Sequence, residues 1–545
     1  MKHLLILLAA AMLAACSFSR QEVDLIVHNG NIITGDSEMP KAEAFAVKDG
    51  RIIELGAERR ILNRYKSANK VDVQKATVYP GFIDAHCHFL GYGLNKAQAN
   101  LKDCASLGEV VTRLQGHHSK YPSSWIIGRG WDQNAWSMGD FPDRALLDEA
   151  FPDVPVFITR VDGHAALVNS KALEIAGVTG FEAVEGGECI IRDERFTGVL
   201  IDNAIDLVKI HLPKPTKAEQ TRALLEAERD CAAAGITSVA DAGLDRAEIE
   251  LIDELHRSGQ LRMPIYAMVT PTPENLDYYL ESGPIKTDRL HVKSFKFYAD
   301  GALGSRGACL LEPYSDMPGR IHLGFLLSDI DYLETCAERI HLAGFQMNTH
   351  CIGDSANRAI LELYGRVLRE PNDYRWRIEH AQVVHKSDLP LFAAYSVLPS
   401  VQPTHATSDM YWAGLRLGRN RIQRAYAYRE LLEQLGILAL GTDFPVEGLS
   451  PLNTFYAAVV RKDAKGFPDG GFNPDNALTR EQAFAGMTLW AALAQFEEQE
   501  KGTLSVGKWA NFVVLDRDLL TCPEDEILKT QVRATYIQGE ALFEE

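Results

Sequence analysis

Four apolar runs in this chain close on a side chain that can hold a metal ion. They are GFIDAH ending at His86, FQMNTH at His350, RWRIEH at His380 and ILALGTD at Asp443. Four further runs, 235–241, 263–269, 292–299 and 396–402, share their apolar character. With 81–86, 345–350, 375–380 and 437–443 they make eight candidate strands separated by helical stretches, the α/β pattern of βα units. A TIM-like (β/α)8 barrel accounts for them, and a doubly wound sheet is the competing arrangement. In a barrel the C-terminal ends of the strands converge on one face, so the four closing side chains would share one small volume. The gap between the first two runs is too long for one βα connection. It carries strand and helix signals of its own in SWIIGRG, VPVFITRV and SKALEIAG. It therefore reads as a subdomain inserted at about 100–230 in a barrel covering 81–502.

The two ends differ from the middle. Residues 22–80 are dense in short β-branched runs, and 503–545 repeats the character in NFVVLDRD and VRATYIQGEALF, which suggests a small β-sandwich built from both chain ends. Asn29-Gly30 and Asp49-Gly50 read as hairpin turns. At the start, Lys2 and the apolar run 4–13 form an export signal, too short to span a bilayer as a mature helix. LAAC at 13–16 resembles the lipobox of bacterial lipoproteins, in which the signal (1–15) is removed and the cysteine, here Cys16, is lipidated. A plain secretory signal and a short buried helix are the alternatives. The lipobox implies an exported lipoprotein whose only membrane contact is its lipid, and Ser17 suggests the outer membrane, facing the periplasm. The other eight cysteines form no CxxC pair and read as scattered, mostly buried thiols. Lys plus Arg number 56 against 74 Asp plus Glu. The net charge of −18 repels phosphate backbones and argues against nucleic acid, leaving a small-molecule substrate as the partner, with a homodimer open.

Residues i and i+2 of a strand point to one side, so His86 and His88 can grip one ion while Cys87, like Cys351, faces away. An isolated HxH is weak evidence, but it is strengthened here by the preceding YPGFIDA. Lys296 sits between aromatics in SFKFY, inside a candidate barrel strand. A buried ammonium is costly unless paired or neutralised. Either its amine pairs with Asp300 or reaches the rim, or desolvation favours a neutral amine that takes up carbon dioxide. The resulting carbamate could bridge two cations.

PGFIDAHCH in the first strand, KFYADGALGSR in the fourth, TH in the fifth, IEH in the sixth and GTDFP in the eighth resemble the amidohydrolase superfamily. GRGWDQNAW, RVDGHAALVNSKAL and HCIGDSANR further resemble its subgroup of N-substituted formamide deformylases and AepA-like exoenzyme regulatory proteins. The resemblance implies a metal-dependent hydrolase of a non-peptide C–N bond (amide, N-acyl or N-formyl amine, or cyclic amide), with one or two divalent ions, usually zinc. Carried over, His86, His88 and Asp443 bind one ion, His350 and His380 the second, and carboxylated Lys296 bridges them. Asp443 also takes a proton from the metal-activated water and returns it to the leaving amine. Thr442 departs from the serine common before that aspartate but keeps the hydroxyl. Asp84 and Asp300 either orient imidazoles or bond strand ends. Trp131, Asp132, His164 and Arg306, within the subgroup motifs, and His405, beyond the seventh strand, are candidate substrate contacts. Ester or lactone hydrolysis on the same site, and a lipid-anchored ligand sensor without turnover, are the alternatives. The complete ligand set favours the enzyme.

Overall fold

The computed structural model describes residues 20–136 and 139–545; Cys16 lies outside the described residues. Eight parallel strands succeed one another: β1 (Phe82–Cys87), β2 (Ile236–Leu244), β3 (Ile265–Val269), β4 (Leu290–Tyr298), β5 (Gln346–Cys351), β6 (Arg377–His380), β7 (Leu398–Val401) and β8 (Ala439–Leu440). They pair in that order, and all eight fall on the runs expected from sequence. A short strand, Ile285–Lys286, runs antiparallel to β4. The barrel is nearly closed. Between β8 and β1 the seam is bridged by two backbone bonds of 2.8 Å, from the Asp443 N–H to the His86 carbonyl and from the His88 N–H to the Phe444 carbonyl. Three of the expected metal ligands are thus held together by the closure itself.

Alternation sorts the strand residues. On β4, Phe295 and Phe297 pack outward into the core shared with the surrounding helices, which leaves Lys296 and Tyr298 facing inward. On β5, the Thr349 hydroxyl meets the Tyr364 hydroxyl of helix Asp354–Leu368 at 2.7 Å, while His350 turns to the interior. Burial on both faces explains why these strands read as nearly continuous apolar runs.

Between β1 and β2 the chain builds a separate six-stranded sheet, ordered Ala99–Asn100, Ile126–Trp131, Val156–Arg160, Ala165–Val168, Arg195–Asp202, Gly187–Arg192. It has its own apolar cluster, with Leu101, Ile126, Ile158 and Val199 at its centre. Helix Lys217–Ala233 then leads into β2, its start fixed by a reciprocal Thr216–Glu219 capping box.

The termini form two larger sheets beside a short parallel pair of Gln21–Glu22 with Tyr65–Lys66. A four-stranded sheet is wholly N-terminal, whereas in a six-stranded one Thr77–Pro80 lies between the C-terminal Phe512–Leu515 and the N-terminal Asn31–Ile33. Phe45 of the first and Phe512 of the second meet edge-on at 5.2 Å in one apolar cluster. Asp49-Gly50 turns the Ala44–Lys48/Arg51–Gly56 hairpin, with φ of 51° and 72°. The hairpin expected at Asn29-Gly30 does not form. Leu25–His28 pairs within the four-stranded sheet and Asn31–Ile33 within the six-stranded one, so this turn hands the chain from sheet to sheet. Among the described residues no helix is long and apolar enough to cross a membrane.

Candidate metal centre

His86 closes β1 with its Nδ1 2.7 Å from Glu379 Oε2. A carboxylate accepts only, so Nδ1 carries the proton and Nε2 presents its lone pair to the cavity. Glu379 is ion-paired in turn with Arg377, whose Nη2 lies 2.6 Å from Glu379 Oε1 while its hydrogens go to the Ala85 carbonyl and the Ser400 hydroxyl. All three residues of this Arg377–Glu379–His86 column are fully buried.

Asp443 stands opposite. Its Oδ1 is 3.6 Å from His86 Nε2 and 3.3 Å from His88 Nε2, and its Oδ2 is 3.5 Å from His405 Nε2. Two donor triads therefore overlap on one carboxylate: His86–His88–Asp443 and His380–His405–Asp443, the ligand atoms of each within 4.8 Å of one another. Asp443 Oδ1 and His405 Nε2 are buried with no hydrogen-bond partner. Buried orphan donors of this kind, facing inward as oxygen and imidazole nitrogen, fit a divalent cation.

His380 ends β6 with Nδ1 2.6 Å from Gln402 Oε1. Its ring centroid is 4.6 Å from His350 and 4.9 Å from His86. Neighbours on a strand point to opposite faces, yet Glu379 and His380 both serve this site. The backbone explains it: His380 has φ of 72° and Asp443 φ of 60°, left-handed values for non-glycine residues. Such conformations cost on the order of 1–3 kcal/mol each and are found where function needs them. Lys296, 1% exposed, places its amine 3.3 Å from His86 Nε2 and 4.5 Å from the Tyr298 ring centroid.

Burial sets the protonation states. It pulls His86 down to about 4, helped by Lys296 and opposed by Glu379, and holds His350 and His380 well below the usual imidazole range. All three stay neutral at pH 7, the form that binds metal. Burial disfavours ionised Asp443, but the imidazoles around it outweigh that and keep its carboxyl well below the usual range.

A cavity of about 710 Å³ opens above these groups, its far wall formed by the inserted sheet. His86, His88, Lys296, His350, His380 and Asp443 come together at its base. Asp132 and His164 line it from the insertion, His164 with its Nδ1 2.6 Å from Asp202 Oδ1 and its ring 5.0 Å from that of His350. His405 stands among the metal donors rather than only at the substrate side. His350 belongs to neither donor triad; its Nε2 is 3.5 Å from the Gly301 carbonyl.

Two expected substrate contacts are placed elsewhere. Trp131 is fully buried in the inserted sheet and donates its indole N–H to the Ile158 carbonyl at 3.0 Å, because a register shift between Arg129 and Trp131, at Gly130 with φ of 114°, breaks the alternation and turns it into that sheet's core. Arg306 is tied to Asp316 at 2.8 Å and braces the loop after β4. Asp84 and Asp300 take the strand-end role. Asp84 accepts from the His86 and Thr442 backbone and from the Thr442 hydroxyl, and Asp300 from the amides of Cys309, Ile352 and Gly353. Imidazoles are oriented instead by Glu379, Gln402 and Asp202. Of these only Glu379 left a sequence signal, a carboxylate inside the apolar run RWRIEH.

Residues 70–543 match the amidohydrolase family. The chain belongs to that family. This amidohydrolase is 32% identical over 542 residues to the protein LONG AFTER FAR-RED 3 of Arabidopsis thaliana, covering 95% of this chain and 91% of that one. It is 27% identical to an N-substituted formamide deformylase of Arthrobacter pascens, over 96% and 98% of the two chains. Among solved structures it is similar to an uncharacterized metal-dependent hydrolase from Pyrococcus horikoshii, with a TM-score of 0.75, 28% identity, and coverage of 92% of this chain and 99% of that one. The amidohydrolase is therefore a metal-dependent hydrolase.

Proposed function

We propose that this amidohydrolase cleaves a non-peptide C–N bond, in an amide, an N-acyl or N-formyl amine or a cyclic amide. The observation that carries the reading is Asp443 shared between two imidazole sets, with its Oδ1 and His405 Nε2 left orphaned. His86, His88 and Asp443 would hold one ion, with His380, His350 and His405 beside them for a second. Zinc suits this nitrogen–oxygen donor set. Lys296 as a carbamate would bridge the pair, replacing an ammonium that two cations would repel. A bound divalent ion supplies an acidified water and a Lewis acid for the carbonyl.

The chain's own residues do the rest. Asp443, ionised, accepts the proton of the attacking water and delivers it to the leaving nitrogen. Glu379 and Gln402 keep the Nε2 lone pairs of His86 and His380 turned to the cavity, and the inserted sheet shields the reacting centre from bulk water. The name of the Arthrobacter relative, a deformylase of N-substituted formamides, supports the C–N bond class. We read the two terminal sheets as the small sandwich, 81–502 as the catalytic unit, and Cys16 as the lipid anchor of an exported protein at the outer membrane.

The test is turnover of the zinc-reloaded protein on N-formyl and N-acyl amines, cyclic amides and lactones, before and after chelation. Cleavage of an amide that chelation abolishes and zinc restores is the expected result. Turnover of lactones alone would move the reading to esters, and turnover of none would favour a ligand sensor.

A further inference from the structure

Two arginines face the cavity from neighbouring strands of the inserted sheet, and the structure surrounds them differently. Arg160 is 1% exposed, with its guanidinium paired to both Asp132 and Asp162 and its Nε donating to Gln133 at 2.7 Å. Arg129 has no such neutralisation. Among the described residues it enters no ion pair, its Nη2 donates to the Val161 carbonyl at 3.1 Å, and its Nε is buried without a partner. Gly163 lets the guanidinium lie flat against the chain, since a Cβ there would stand 3.2 Å from Nη2 and 3.3 Å from Nη1.

Lys102 lines the same side and is likewise in no ion pair among the described residues; its ammonium donates to the Pro445 and Val446 carbonyls at 2.7 and 3.1 Å. In a chain with 74 acidic against 56 basic residues, two neighbouring cations that line a cavity without an ion pair of their own are an exception. A desolvated cation is costly unless a counter-charge completes it. Burial pulls the Arg129 guanidinium down, and the charges of Asp162 and Asp443 offset only part of that.

We infer that the substrate carries a carboxylate, bound by Arg129 within the field of Lys102, in the cavity that holds the metal donors. The inference rests on the hydrolase reading above. A planar guanidinium matches a carboxylate. A phosphate dianion would need more free donors than this wall offers, because the Lys102 ammonium is already engaged by backbone carbonyls.

The experiment compares matched pairs on the zinc-loaded protein: N-formyl and N-acetyl amino acids against their carboxamides, which keep the scissile bond and lose the charge. The acid should be favoured at least about tenfold in kcat/KM, as expected for a hydrogen-bonded charge pair. Arg129→Gln should bring that ratio to within about twofold, chiefly through KM, and Arg129→Lys should keep part of it. Equal turnover of acid and carboxamide by the wild type, or a ratio unchanged in Arg129→Gln, would overturn the inference and leave the hydrolase reading standing. If Arg129→Gln does not fold, the wild-type ratio and Arg129→Lys decide.

If no N-acyl compound is cleaved, the hydrolase reading fails, and binding decides the carboxylate question separately. Calorimetry of 3-phenylpropanoate against 3-phenylpropanamide should show an acid preference that Arg129→Gln weakens about tenfold, since any coordination to the metal is common to both proteins. An equal acid preference in the two proteins would overturn the inference.

Discussion

The cavity has two walls built on different principles. On the barrel wall, the metal donors stand at or just beyond the ends of different strands, backed by buried partners: His86 by Glu379 and Arg377, His380 by Gln402, the β1–β8 seam by Asp84 and Thr442. On the inserted wall, polar side chains pair mainly with one another, as Arg160 does with Asp132 and Asp162 and His164 with Asp202. The first wall orients lone pairs toward a common point. The second distributes charge around a space. The difference assigns chemistry to the barrel and substrate choice to the insertion, in keeping with specificity carried by the elements above a barrel mouth.

That division is open to four tests, taken from the largest effect down. Asp443→Asn removes the one carboxylate both triads share. Turnover should fall about 10²–10⁴-fold, with metal content falling alongside. A variant that keeps its metal and near-normal turnover would take the chemistry off the barrel wall. Glu379→Gln leaves the geometry of the column but uncouples His86 and strands a buried guanidinium. Zinc affinity measured by chelator competition should drop about 10–100-fold, and denaturation should show a loss of about 3–5 kcal/mol.

Asp202→Asn probes the other wall. It should lower kcat/KM about tenfold through His164, as for loss of a charge-assisted hydrogen bond, while metal content by elemental analysis stays at the wild-type level. Metal loss in this variant would erase the distinction between the walls. The smallest effect concerns pH. Protons compete with metal for imidazole, and an ordinary histidine with a pKa near 6.5 would cost about tenfold in affinity at pH 5.5. His86, pulled down to about 4, is already proton-free at pH 5.5, and burial holds His350 and His380 well below the usual imidazole range as well. His86 should add almost nothing to the pH dependence between 7 and 5.5, and His350 and His380 less than ordinary imidazoles would. A fall of about 10³-fold across that span in a calorimetric zinc titration would show that the barrel wall does not hold them neutral.

The walls were also unequally legible in the sequence. Barrel strands announce themselves because helices cover one face and the barrel interior the other, so a histidine, lysine or aspartate stands out against an apolar run. The insertion announced itself by its length and by strand and helix signals of its own, but not by the partners of its side chains. What meets what inside it depends on an irregularity at Gly130 that shifts the register between Arg129 and Trp131, which is why the pattern GRGW does not separate Trp131, bonded to the Ile158 carbonyl, from a cavity residue. The partners of the ligands were hidden for a related reason. Glu379 and His380 are sequence neighbours, and only a left-handed backbone at His380 lets both reach the site. Asp202 lies 38 residues beyond the imidazole it orients. His405 gave no sign of standing against Asp443, because it follows β7 in a helix, Pro403–Asp409, rather than closing a strand.

The division between the walls requires a divalent ion on the barrel wall, held through Asp443. Anomalous diffraction from zinc-loaded crystals tests it most directly. The expected map has a peak about 2.0–2.1 Å from the Nε2 atoms of His86 and His88 and within bonding distance of the Asp443 carboxylate. A cavity base without an anomalous peak, in a protein loaded with zinc, would contradict it.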